Sequence, residues 1–350
     1  MAKRKWVHDP ATHGVAKSMA MYERAKQVLP GAAATFSKSA SQVALGVTPL
    51  FLERAKGARV WDVDGQEYID YMMGLGPIIL GHGEKRVTAA QVEQLRLGQA
   101  YSLTTPIEIE TAELIAQLVP CAEMVRFAKN GSDVTTAAVK LARYATGRDL
   151  VAAGGYHGWH DWYVGSTDRA GGIPQAVRDL TRRFSQYDPA DLERLFRAHP
   201  GQIAAVILEP AMHSKVPDRR VLLDIRDITH RHGAILIFDE VITGFRLHPR
   251  CAQGMLDVTP DLCTLGKALA NGAPVSAIAG RRDLMEALGG PVFFSFTFGG
   301  EAVSLAAARA TLQIIRDEPV CEHLARLGSR LRDGINDLAS RHGLGEFVGA

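Results

Sequence analysis

Between residues 125 and 280 short apolar runs alternate with helix-period stretches, and this alternation leaves the chain few architectures to adopt. The runs cover 125–128, 150–153, 203–208, 234–238, 262–265 and 275–279. Each is short enough for a strand and apolar enough to be buried on both faces. The segments at 130–147, 189–197 and 222–232 read as helices. Strands and helices interleaved in this way predict an α/β fold with a mostly parallel sheet covered on both sides. Ligands of such open sheets gather at the carboxyl ends of the strands. The residues that follow each apolar run are therefore the first candidates for a site.

The flanks read differently. A helix is expected over 15–29, stopped by Pro30 and Gly31, and then a coil or flap of small polar residues to position 48. Segments 51–55, 59–62 and 67–70, with Asp64 and Gly65 between the last two, predict a small antiparallel sheet. A glycine-rich loop over 74–83 precedes helices at 84–96 and 106–118. Loop is expected from 154 through Trp162 and irregular structure over 163–187, with a short helix at 250–256. Two helices, 302–316 and 318–341, follow, and Phe347-Val348 reads as the first strand of a sheet whose partners lie outside the sequence. The expected organisation is an N-terminal segment with part of a small domain at 1–75, a large domain at 76–305 and the start of a C-terminal small domain at 306–350.

Composition narrows the function classes. A 350-residue chain that is 47% apolar can bury a sizeable core. A formal charge of +2 gives no footprint for nucleic acid or a charged membrane surface. The basic start lacks the apolar segment of a secretory signal, and no 18-residue apolar run suggests a membrane span, so a cytoplasmic protein is expected. Cys121, Cys251, Cys263 and Cys321 are widely spaced and form no CxxC pair, which predicts free thiols and no metal site.

Four local patterns carry chemistry. The run 234–238 ends in Asp239 and Glu240, where an acid either caps a turn or serves a ligand. Lys267 follows Gly266 after the run 262–265. A lysine in apolar surroundings can lose its proton and condense with an aldehyde, whereas an ordinary lysine lies on the surface. Asn130-Gly131-Ser132 opens a helix, either as a plain cap or as an anion site. Tyr156-His157-Gly158 follows another run, with Trp159, His160, Asp161 and Trp162 behind it; such rings either fill a core or stack on a flat cofactor. Together, a lysine for an aldehyde, a carboxylate for a pyridine nitrogen and a helix start for a phosphate suggest pyridoxal phosphate.

With these residues in view, the chain resembles the class III, fold-type I aminotransferases, and most closely glutamate-1-semialdehyde aminomutase-like proteins. The matching blocks are 51–57, 61–65, 68–71, Gly76-Pro77, 80–82, Tyr156-His157-Gly158, Glu209-Pro210, the run from Phe238 to Arg246 and Gly266-Lys267. The resemblance spans residues 16–345. It implies a large domain with a mainly parallel seven-stranded sheet covered by helices, plus a small α+β domain. It implies that Lys267 forms the Schiff base with pyridoxal phosphate and moves the proton during the reaction. It implies further that Asp239 binds the pyridine nitrogen, Val241 packs on one ring face, and Tyr156 stacks near the other. Gly131 and Ser132 would hold the phosphate, and Glu209 and His157 would lie near the cofactor. Thr297 would reach the phosphate of a neighbouring subunit, so a homodimer with shared active sites is implied.

The departures from the aminomutase pattern concern the substrate. Lys38 stands where that family places a carboxylate-binding arginine, and a lysine lacks the planar fork. Leu75 stands in place of a tryptophan, and Glu301 falls in a segment that departs from the family's sequence after the threonine. With Trp159, these residues are the candidates for a substrate pocket. The pattern of residues 156–163 and 293–301 looks like a subgroup linked to surface-polysaccharide or amino-sugar synthesis. The expected reaction is ping-pong transamination from a donor such as L-glutamate to a sugar-like keto or aldehyde acceptor. A PLP-dependent aminomutase and a catalytically silent PLP-fold binding protein are the alternatives.

Overall fold

A computed structural model describes residues 14–212 and 216–345. The strand expected at 347–348 and nearly all of the polar N-terminal tail lie outside the described residues. The chain divides into two units, one comprising 1–73 with 81–84 and the other 74–80 with 85–350.

In the smaller unit a helix α1 (Ala16–Val28) precedes a three-stranded antiparallel sheet of β1 (Leu52–Lys56), β2 (Arg59–Asp62) and β3 (Glu67–Ile69), in that order. Asp64, in the β2–β3 turn, accepts the Lys17 and Ser18 N–H groups at 2.7 and 2.9 Å. It thereby satisfies two of the orphan donors of the first turn of α1. The segment expected as coil over 31–48 contains three short 3-10 turns at Pro30–Ala32, Phe36–Lys38 and Ala40–Gln42.

The larger unit opens with α2 (Lys85–Leu97) and α3 (Pro106–Leu118). There follow β4 (Met124–Ala128), α4 (Gly131–Thr146), β5 (Leu150–Gly154), α5 (Asp161–Val164) and α6 (Gln175–Arg178). The chain continues through β6 (Thr181–Arg183), α7 (Pro189–Ala198), β7 (Ile203–Leu208), α8 (Arg219–Arg231) and β8 (Ile235–Asp239). It ends with α9 (Cys251–Leu256), β9 (Leu262–Leu265), β10 (Ser276–Gly280), α10 (Arg282–Met285), α11 (Ala302–Asp317) and α12 (Val320–Arg341). The seven strands β4 to β10 form one sheet in the order β4-β10-β9-β8-β7-β5-β6. All pairs are parallel except those made by β10, which runs against both β9 and β4.

Strand alternation splits the core in two. Leu236 and Phe238 of β8 face one cluster with Leu305 and Leu312 of α11 and Leu222 of α8. Ile237, between them, joins Val134, Ala138 and Leu141 of α4 on the opposite face. Both faces are covered over β5 and β7, so these strands are buried and apolar along their length, as the sequence pattern requires. Each fully buried leucine, isoleucine or phenylalanine contributes about 1.5–3 kcal/mol of burial.

Two expectations are corrected. Residues 161–164, read as loop to Trp162 and irregular beyond it, form α5, whose Trp162 and Tyr163 are buried against the α4 face. The stretch 163–187, read as irregular, contains α6 and the edge strand β6, paired in parallel with β5 from Val151↔Thr181 to Ala153↔Arg183. Thr181-Arg182-Arg183 carries no apolar alternation because it lies at the sheet margin, where one neighbour suffices and charge discourages further pairing.

Candidate active site

Five strand ends converge in the larger unit. β4, β5, β7, β8 and β9 point the same way, because β10 reverses direction twice over between β9 and β4. Gly131 and Ser132, Tyr156 and His157, Glu209, Asp239 and Val241, and Lys267 therefore all leave the sheet at its carboxyl edge.

Asp239 is the last residue of β8 and shares the α4 face with Ile237. Thr264, opposite it in register on β9, donates its hydroxyl to Asp239 Oδ1 at 2.9 Å. The Val241 N–H reaches the same oxygen at 3.2 Å. The second oxygen lies 2.8 Å from His157 Nδ1, and His157 Nε2 donates to the Gly154 carbonyl at 2.9 Å. Trp162 lies nearly parallel to the imidazole at 6.2 Å and Tyr163 meets it edge-on at 5.3 Å. Both Asp239 and His157 are buried, so their orientation is fixed by protein rather than by water.

Lys267 starts a 3-10 turn directly after β9 and Gly266, with a left-handed φ of 43°. For a non-glycine residue that conformation costs on the order of 1–3 kcal/mol and is retained only where its surroundings enforce it. Burial pushes the lysine amine below its ordinary value; the Asp239 and Glu209 carboxylates pull it back up, and the Arg246 guanidinium pushes it down. A half-buried lysine whose ammonium form is disfavoured by burial is a better nucleophile than a surface lysine.

The remaining walls are close-packed. Gly131 begins α4, and a Cβ there would stand 3.0 Å from Val241 Cγ1; at Gly266 it would stand 3.4 Å away. Val241 is thus wedged between the helix start and the turn before Lys267. A Cβ on Gly158 would collide with Ser132 Oγ, which accepts the Trp159 N–H at 3.1 Å, so the loop after β5 rests directly on the helix start. Asp133 takes the Asn130 N–H at 2.8 Å, completing the cap on the far side. Glu209 accepts the Tyr156 N–H at 3.0 Å, and burial pushes its carboxyl above the usual range.

The other sequence candidates are scattered. Tyr156 is exposed and meets Tyr163 edge-on at 5.6 Å. Trp159 is 69% exposed, whereas Trp162 is buried. His160 Nδ1 is bonded to Thr136 Oγ1 at 2.8 Å, and buried Trp162 donates to the same hydroxyl at 3.0 Å. The start of α5 turns those two rings towards α4 and leaves Trp159 outside. Glu301 caps α11 through the Val303 and Ser304 N–H groups and accepts Lys129 Nζ at 2.9 Å. Leu75 sits at φ 72° in the turn 74–80, which Asn271 Oδ1 pins by accepting the Ile79 and Leu80 N–H groups, each at 2.9 Å. Thr297 is exposed beside Phe296 and Phe298. Lys38 is exposed in the smaller unit.

Glu240 is structural. Fully buried, it accepts from Thr243 Oγ1, the Ala252 N–H, and the N–H and side chain of Gln253. Sequence reading passed over Thr264, Asn271 and Arg246. Strand parity could have found Thr264, which is two residues from Leu262 on the α4 face; nothing local marks Asn271.

The donor set suits pyridoxal phosphate: a buried amine, a fixed carboxylate, a helix start with a hydroxyl, and a branched apolar side chain wedged between them. Among the described residues, no group of three or more His, Cys, Asp or Glu could hold a metal ion, and no helix is long and apolar enough to cross a membrane.

Residues 40–349 match the family model of the class-III aminotransferases. Glutamate-1-semialdehyde 2,1-aminomutase of Rhodopirellula baltica is 40% identical over 349 residues, covering 95% of this chain and 79% of the relative. The 3-aminobutyryl-CoA aminotransferase of Cloacimonas acidaminovorans is 35% identical, covering 96% of this chain and 82% of the relative. Among solved structures, the FumI protein of Sphingopyxis sp. MTA144 in its PLP internal aldimine form superposes with a TM-score of 0.89 at 35% identity. That match covers 94% of this chain and 80% of FumI.

Proposed function

Because this chain belongs to the class-III aminotransferases, pyridoxal phosphate-dependent enzymes of fold-type I, we propose that it carries an amino group from a donor such as L-glutamate to an oxo acceptor by ping-pong transamination. The observation that carries the reading is the pair Asp239 and Lys267. They stand at the ends of neighbouring parallel strands, with the carboxylate held by His157 and Thr264 and the amine lowered by burial.

When bound, pyridoxal phosphate supplies an aldehyde that takes up amines and a ring that draws electrons from the carbon bearing the nitrogen. Lys267 would hold the aldehyde and, once displaced, take and return the proton at the reacting carbon. Asp239 would keep the proton on the ring nitrogen, and His157 acts through Asp239 by fixing its carboxylate. Val241 would form the floor under the ring, with Tyr156 near the other face and Glu209 at its border. The helix-start N–H groups at Gly131 and Ser132 and the Ser132 hydroxyl would take the phosphate. Thr297 is assigned to the phosphate site of a second copy, in a homodimer with shared sites. Its exposed position among apolar rings supports this. The domain division at residues 75 and 305 and a cytoplasmic location form part of the same reading.

A sugar-like acceptor is the finer proposal. Leu75 and Lys38 in place of the aminomutase residues support it, as does the exposed Trp159 ring; His160 and Trp162 are taken up by Thr136. An intramolecular aminomutase is the second reading, favoured by the 40% identity to the R. baltica protein. Incubation of the yellow, PLP-loaded protein with L-glutamate separates them. Release of one 2-oxoglutarate per site, followed by turnover in a screen of oxo-sugars, is the expected result. Conversion of glutamate 1-semialdehyde without 2-oxoglutarate release would establish the mutase.

A further inference from the structure

Among the described residues, Arg246 is a partly buried cation with no carboxylate partner. Its Nη2 donates to the Gly76 carbonyl and its Nε to the Ile242 carbonyl at 3.1 Å, and among the described residues it makes no ion pair. Buried charges are ordinarily paired, because an unpaired one is costly. Two carbonyl dipoles solvate a guanidinium but leave its net charge in place. Guanidinium also stays protonated across the whole working range of pH, whereas an amine can give up its proton.

Its surroundings single out Lys267. A Cβ added to Gly76 would lie 3.5 Å from Arg246 Nη2 and 3.9 Å from Lys267 Cδ, so both cationic side chains border one point of the turn 74–80. Three backbone outliers meet here: Leu75 at φ 72°, Phe245 at φ 59° and Lys267 itself at φ 43°. None is glycine, and Phe245 is fully buried, so packing enforces its conformation. Strain at all three supporting segments fits a constellation built to hold one lysine in one place.

We propose that Arg246 is a positioning residue for Lys267, clamping the Gly76 turn against the lysine's methylene chain and facing its amine with a permanent positive charge. The inference rests on the reading of Lys267 as the cofactor-bearing lysine. The charged groups around that amine are Asp239 from β8 and Glu209 from β7, both attractive, and Arg246, repulsive; His157 stands behind Asp239. Beside Arg246 lies Cys321 of α12, which burial keeps as a neutral thiol, with its pKa pushed up to about 11. Arg246 therefore offsets part of the pull of the two carboxylates on the amine. A cation placed next to a reactive lysine is a recognised way of activating it.

The test is a pH titration of the cofactor absorption in loaded parent, R246Q and R246K proteins, with thermal unfolding as a check on folding. Removing the charge in R246Q is expected to raise the absorption midpoint by about one pH unit. R246K, which keeps the charge, is expected to stay within about 0.3 unit of the parent while KM rises, because one ammonium cannot clamp both carbonyls. A folded, yellow R246Q with the parental midpoint overturns the proposal. If R246Q does not fold, the charge-free R246M is read in its place: a raised midpoint supports the proposal, and the parental midpoint overturns it. A parent protein that never develops the absorption band sinks the functional reading instead, so the two failures are distinct.

Discussion

Asp239 Oδ2 and His157 Nδ1 stand 2.8 Å apart at the base of the site, and the opposite ring nitrogen is committed to the Gly154 carbonyl at 2.9 Å. A carbonyl can only accept, so Nε2 carries a hydrogen and the imidazole cannot flip without breaking a buried bond. The Asp239 carboxylate is thus anchored through His157 to the end of β5 and through Thr264 to β9.

Asp239→Asn should keep the fold and lower kcat/KM by about 10²–10³-fold, since an amide cannot hold the ring-nitrogen proton by charge. His157→Asn should give a smaller loss, of about tenfold to a hundredfold, because it disturbs only the orientation of the acid. Steady-state rates with L-glutamate check both. A His157→Asn variant as impaired as Asp239→Asn would mean that the imidazole acts directly.

Lys267 has a pH signature. Its folded-state pKa lies below the ordinary 10.5, so between the two values the unfolded chain binds more protons and stability rises with pH. At neutral pH the buried amine therefore costs the cofactor-free protein stability, and the cost disappears above about pH 10.5. Lys267→Met should raise the melting temperature of cofactor-free protein near pH 7 while abolishing the yellow band. That stability advantage should shrink as the pH approaches 10. An advantage independent of pH would refute the assignment of the cost to the lysine charge.

Glu240 should matter for stability and hardly at all for chemistry. Glu240→Ala strands the Thr243, Ala252 and Gln253 donors in a dry core and should cost about 3 kcal/mol or more in denaturant unfolding. Glu240→Gln retains one acceptor and should lose roughly half as much. A catalytic defect in a Glu240→Gln protein that still folds would contradict the structural role.

The shared-site dimer can be tested by complementation. Lys267→Ala and Thr297→Asp proteins should each be nearly inactive, the second because an acid beside the phosphate repels it. If Thr297 serves the neighbouring site, mixed dimers contain one site with both native residues, and co-refolding should restore up to about a quarter of parental activity per chain, the share that random pairing allows. No recovery in verified heterodimers would place Thr297 in its own subunit's chemistry.

Much of this molecule follows from local pattern. The apolar runs at 203–208 and 262–265 became β7 and β9 without adjustment, and Asp239 and Lys267 were conspicuous as polar residues that end or follow such runs. Periodicity is written into the chain because a strand buried on both faces has no choice of residue type. Pairing across distance is not. Whether Glu240 or Asp239 turns towards His157 depends on strand parity and on the twelve-residue excursion that brings Ala252 and Gln253 back to cap Glu240. That Trp162 is core while Trp159 is exposed depends on the turn that starts α5, and that Arg246 bonds a backbone carbonyl depends on where Gly76, 170 residues away, folds back. Sequence determines which residues can perform the chemistry, because local composition decides burial and strand ends. Only the tertiary structure decides which of them meet, because contact between distant segments is set by packing the whole sheet at once.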